Sequence, residues 1–92
     1  DWSVWRVFSD RASRSASLRT QYRASMGAWL GAAAEALASR RGCPLDDVML
    51  DAEVAVSAVD AIGDAASVDP HDWPRARQRR VLEHLLSALD AG

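Results

Sequence analysis

Two histidines, one cysteine and thirteen carboxylates are the side chains here that could do acid–base, nucleophilic or metal chemistry. Their spacing favours none of these. His71 and His84 have no glutamate or second histidine at ligand spacing, so no metal is expected. His84, next to Glu83, reads as a surface residue. Cys43 precedes Pro44 with no neighbour to activate a thiolate, and a lone cysteine forms no internal disulfide. No phosphate loop, nucleophile elbow or paired-carboxylate arrangement is present. The expectation is a protein that is not an enzyme and carries no cofactor. Binding chemistry remains. Trp5, Phe8, Tyr22, Met26 and Trp29 concentrate large, soft side chains. Singly, each reads as core; as a group they suit the lining of a mostly apolar small-molecule pocket. The Tyr22 hydroxyl, the Trp29 indole, Gln21 and Ser25 are available as directing polar groups.

Four helical segments and no strand are predicted to position these residues. The first covers about residues 2–13, where Val4, Trp5, Phe8 and Ala12 recur at helical spacing. The serines of "SRSAS" break it, and Ser15 or Ser17 caps a second helix that runs to about Arg41. Leu18, Tyr22, Met26, Trp29, Ala33 and Leu37 form its stripe. Arg40 and Arg41 suit the dipole at its end, and Gly42 is a C′ stop. Gly27 and Gly31 lie inside this helix and are expected to admit a close neighbouring helix. After "CPLDD", with Asp46 or Asp47 as cap, the third helix covers about 47–67. Asp69-Pro70 ends it. Asp72 then caps a fourth helix with Pro74 in its first turn, and Leu82, Leu85, Leu86 and Leu89 make the apolar face.

A chain of 92 residues is one domain, and at this size only about 60–65% of the unfolded surface is buried. Alanine is roughly a fifth of the residues, and no lysine occurs among the eleven basic ones. The net charge of −2 argues against nucleic-acid binding by the chain itself. No apolar run approaches the roughly 20 residues of a membrane span, and the reducing cytoplasm is the expected location. The opening Asp-Trp, already inside an apolar-periodic run, reads as a cut through a helix of a longer protein.

The third helix carries two apolar stripes. Val48, Ala52, Ala55, Val59, Ile62 and Ala66 step like a heptad seam, with Val54, Ala58, Ala61 and Ala65 beside it. The chain itself could cover both. The alternative, preferred here, is that the last two helices pack on their copies in a second subunit as a dimeric four-helix bundle. Asp60 and Asp64 lie toward the C-terminal end of the third helix, where negative charge opposes the dipole. The arginines of "RARQRR", Arg75, Arg77, Arg79 and Arg80, lie early in the fourth, also against the dipole. Antiparallel packing is expected to pair these charges and set the register.

"AVDAIGDAASVDP" followed by "WPRARQRRVLEHLLSALDAG" resembles the end of a tetracycline-repressor (TetR) family regulator. Asp60-Ala61-Ile62 occupies the place of the family's Asp-Gly-Leu element, with alanine for glycine. Asp69-Pro70 follows at the expected distance, before an amphipathic final helix. Upstream, "WRVFSDRA" and "LRTQYRASMGAWLGAAAEAL" resemble the preceding helices in order and length. The resemblance implies that residues 1–92 are an all-α C-terminal effector-binding and dimerisation domain. A DNA-binding helix-turn-helix domain would lie N-terminal and outside this chain. It further implies transcription regulation, as a repressor released from DNA by a small hydrophobic effector. Carried over by position, Val59, Ile62, Ala66, Leu82, Leu85, Leu86 and Leu89 fall on dimer elements. Trp5, Phe8, Tyr22, Met26 and Trp29 fall on elements lining the ligand cavity. The competing expectation is a free-standing helical dimerisation module without a ligand.

Overall fold

Residues 2–91 are described by the computed structural model, and among them are four α-helices and no strand. Helix α1 is Trp2–Ala12, α2 is Ala16–Arg41, α3 is Met49–Val68 and α4 is Arg75–Ala91. A 3₁₀ turn, Leu45–Val48, leads into α3. Local chemistry accounts for most of the boundaries. Ser15 is extended, with φ −135° and ψ 122°, and its Oγ accepts the Leu18 N–H at 3.4 Å. That uses one of the donors a helix start leaves unmade. At the other end of α2, Gly42 takes the left-handed conformation, φ 66°. The Cys43 N–H then returns to the Ala38 carbonyl at 3.1 Å, closing a Schellman-type stop.

Two expected caps are absent. Neither Asp46 nor Asp47 caps α3: both lie in the 3₁₀ turn, which starts after extended Pro44, and α3 begins only at Met49 without a side-chain cap. Asp72 does not cap α4 either. The Asp69 carboxylate accepts the Asp72 N–H at 3.1 Å, and Asp72 in turn receives the Arg77 guanidinium on its carbonyl and carboxylate, at 2.8 and 2.9 Å. The competing cation takes the carboxylate that a cap would need. Pro74 sits just outside α4, its carbonyl accepting the Arg77 and Gln78 N–H groups.

Arg41, at the end of α2, ties the other ends together. Its guanidinium binds the Asp51 carboxylate at 2.6 Å and the Leu89 carbonyl at 2.8 Å. The start of α3 therefore lies beside the end of α4, and the pair is antiparallel. The backbone of α4 lies close to α3 and to no other helix, while α1, α2 and α3 all touch one another.

Buried apolar residues are few and small. Ala34, Leu37, Ala38, Val48 and Ala52 form one core between α2 and the start of α3; Ala12, Ile62 and Ala66 are buried elsewhere. Thus the stripe from Val48 to Ala66 serves the inside of this chain. The second stripe is covered only in part: Val54, 48% exposed, and Ala61 are open, while Ala58 and Ala65 are half-buried. Leu50 and Val68 beside it are 77% and 61% exposed. The molecule is a slab of 39 × 33 × 15 Å. Gly27 and Gly31 face open space rather than a neighbouring helix. The close approach is at Gly63 instead, where an added Cβ would overlap the Trp2 ring.

Candidate functional site: an aromatic cleft with a carboxylate wall

The long apolar stripe of α2 meets α1 where both carry aromatic residues. Trp5 is the centre. Its ring stacks on Tyr22, with centroids 5.5 Å apart and planes 20° from parallel. Phe8 lies 5.4 Å and Trp29 4.7 Å from it in tilted arrangements. Offset and tilted contacts of this kind are favoured by the ring quadrupole. The indole N–H of Trp5 donates to Asp60 Oδ1 at 2.7 Å, joining α1 to α3. A second link is the ion pair of Arg6 and Asp64, 3.5 Å, one residue further along α1 and one turn further along α3.

Between these links opens a cleft of about 610 Å³, within the size range of small-molecule sites. Trp2, Trp5, Tyr22 and Met26 supply apolar walls, and Asp60 and Asp64 form the α3 side. Beside it, Trp2 and Trp29 border a smaller recess of about 420 Å³ lined by Ala33, Ala55, Val56 and Val59. Trp2 belongs to both spaces, so it is the partition between a polar cleft and an apolar one.

The five residues expected at a ligand cavity are thus brought together but do not share one surface. Trp5, Tyr22 and Met26 line the cleft, Trp29 lines the apolar recess, and Phe8 turns to the far side of α1 beside Val4, Val7 and Leu18. Gln21 and Ser25 do not line the cleft. Trp2, Asp60 and Asp64 were not anticipated there. Trp2 precedes Trp5 by three residues and Asp60 precedes Asp64 by four, so helical periodicity put each pair on one face.

The residues expected at a dimer seam divide as well. Ile62 and Ala66 are buried within the chain and Val59 lines the recess, whereas Leu82, Leu85 and Leu89 are half-buried and Leu86 is exposed. The expected pairing of α3 acids with α4 arginines is not found. Asp60 and Asp64 turn to α1, and Arg77 lies over the Trp73 ring, 3.9 Å from its centroid, while bound to Asp72. Arg75, Arg79 and Arg80 are exposed. Trp5 and Arg6 of α1 hold the two carboxylates, and the six-residue connection captures Arg77 locally. Cys43 packs half-buried against the α2–α3 core, and His71 and His84 are exposed.

Among the described residues no helix is long and apolar enough to cross a membrane. Comparison of the chain with protein-family models, curated proteins and solved structures finds no match.

Proposed function

We propose that this chain is the effector-binding and dimerisation domain of a TetR-like transcriptional regulator, with DNA read by a helix-turn-helix domain outside these residues. The observation that carries the proposal is the unfinished state of the α3–α4 pair. No residue of α4 is buried among those described, and the outer stripe of α3 is exposed at Val54 and Ala61 and half-buried at Ala58 and Ala65. The accessible surface is 6350 Å². A folded monomer of 10.0 kDa exposes about 5200 Å². The excess of about 1100 Å² resembles the roughly 800 Å² that each partner contributes to a stable interface. Two copies of an antiparallel helix pair, related by a two-fold axis, complete a four-helix bundle.

The order of elements supports the sensing half of the reading. The cleft is built by the helices preceding the dimer pair, and Asp60 and Asp64 join its wall directly to α3. A ligand held there contacts an element of the interface. Its binding free energy then biases the geometry of the dimer, and with it the spacing of two DNA-reading heads. A repressor works this way when the ligand-bound geometry no longer fits successive half-sites.

Light scattering tests the interface. The unmodified chain is expected at twice the 10.0 kDa chain mass at micromolar concentration. Val54→Glu is expected to give a folded monomer. The side chain is already half-exposed in one chain, so the charge is tolerated there, but burying it unpaired between two copies is prohibitive. A monomeric unmodified chain overturns the proposal.

A further inference from the structure

We infer that the cleft between α1, α2 and α3 selects an organic cation with a bulky apolar or aromatic body; this rests on the effector-binding reading above. Two independent features of the cleft set the class. The first is its walls. Trp2, Trp5 and Tyr22 present three aromatic rings to one space, with Met26 beside them. Aromatic faces attract cations through the ring quadrupole, and they do so most strongly for weakly hydrated cations such as quaternary ammonium groups. A ligand of that kind leaves water at little cost and meets the rings of Trp2, Trp5 and Tyr22 on the walls opposite the carboxylates.

The second feature is the charge left over after the internal pairs are made. Arg6 matches Asp64, and Arg14 matches Asp10 at the rim, at 3.5 and 2.9 Å. Asp60 has no ion-pair partner among the described residues. One oxygen is held at 2.7 Å by the Trp5 indole, which fixes the carboxylate without neutralising it. Half-buried and anchored, Asp60 sets one uncompensated negative charge among the aromatic rings. The field it makes there is less screened than at an open surface. Arg6 also lines the cleft but is already matched to Asp64. An anionic ligand would therefore meet Asp60 with no spare cation among the described lining residues, and a neutral one would leave the charge unmatched. On the other side of Trp2 the apolar recess offers a second apolar surface beside the cleft.

Tetraphenylphosphonium and tetraphenylborate, nearly equal in shape and opposite in charge, separate these terms. Each is titrated into the 92-residue chain, with binding followed by calorimetry and by tryptophan emission. The phosphonium is expected to bind saturably and at least about tenfold more tightly than the borate, the scale of one partly desolvated charge contact. Asp60→Asn keeps the shape and an acceptor for Trp5, and is expected to remove about tenfold of the phosphonium affinity with helicity unchanged. Equal or tighter binding of the borate overturns the inference but leaves the effector site standing. Phosphonium binding indifferent to Asp60→Asn likewise overturns it. Binding of neither probe removes both the cation selectivity and the effector reading.

Discussion

At the scale of single residues, three glycines in helices have opposite roles. Gly27 and Gly31 face open space, so alanine there gains helix propensity and meets nothing. Each Gly→Ala change is expected to stabilise by about 1 kcal/mol. Gly63 is buried under Trp2, and its Cβ would overlap the ring itself rather than the tip of a flexible chain. Overpacking of this kind costs about 1–3 kcal/mol, against the same propensity gain of about 1. Gly63→Ala is therefore expected to be neutral or destabilising and to change Trp2 emission as the ring leaves its seat. Urea unfolding of the three variants gives the signs directly; stabilisation by Gly63→Ala with unchanged emission would contradict the packing described. The same residue explains what was legible. Sequence alone pointed to Gly27 and Gly31, because glycine inside a long helix is conspicuous. Gly63 gains its meaning only from a tryptophan sixty-one positions away. Asp60 was obscured for the same reason: its partner, Trp5, lies on another helix. The dipole argument and the Asp60-Ala61-Ile62 element drew attention to the acid without placing it in a cleft.

Helices were easier to read than their joints. Ser15, through its side-chain cap and extended backbone, Gly42, through its left-handed backbone, and Asp69-Pro70 each stand where the pattern placed them. The cap assigned to Asp72 failed because a carboxylate chooses among donors and the chain offered it a guanidinium. Those assigned to Asp46 and Asp47 failed because both lie in the 3₁₀ turn before α3. Helix α4 shows how much depends on such choices. It is half-buried at best, and the Arg41 guanidinium holds its far end to α2 and α3 at once. Hydrogen bonds from a charged donor contribute about 1.5–3 kcal/mol where partly desolvated. Arg41→Ala is accordingly expected to lower stability by about 1–3 kcal/mol and to speed amide exchange in the last turns of α4 before the rest. Arg41→Lys, a single point donor in place of a planar fork, is expected to recover only part of the protection. Uniform exchange across α4 in the alanine variant would show that the latch carries no special share.

For the whole molecule, thickness is the governing quantity. A slab 15 Å thick has room for little more than one layer of helices, so faces that a globule would bury remain open. The outer face of α3 offers the apolar side chains of Leu50, Val54 and Val68 for contact. Association through it is expected to persist from about 0.1 to 1 M salt, because screening acts on charges and not on apolar area. The melting temperature should rise with protein concentration, as it does when only the folded form associates. A melting temperature independent of concentration, or a dimer dissolved by salt, would point to a different contact. One further property follows from the make-up of the α2–α3 core, in which three of the five buried residues are alanine. Methyl groups make shallow ridges. Helices meeting on them are held together by close contact, yet have few deep interlocks to lift over when one slides along the other. The α2–α3 contact is thus built more like a bearing than a gear. A molecule wedged between the rings of α1 and the carboxylates of α3 would turn its pressure into a glide along α3, carried to whatever that helix touches next.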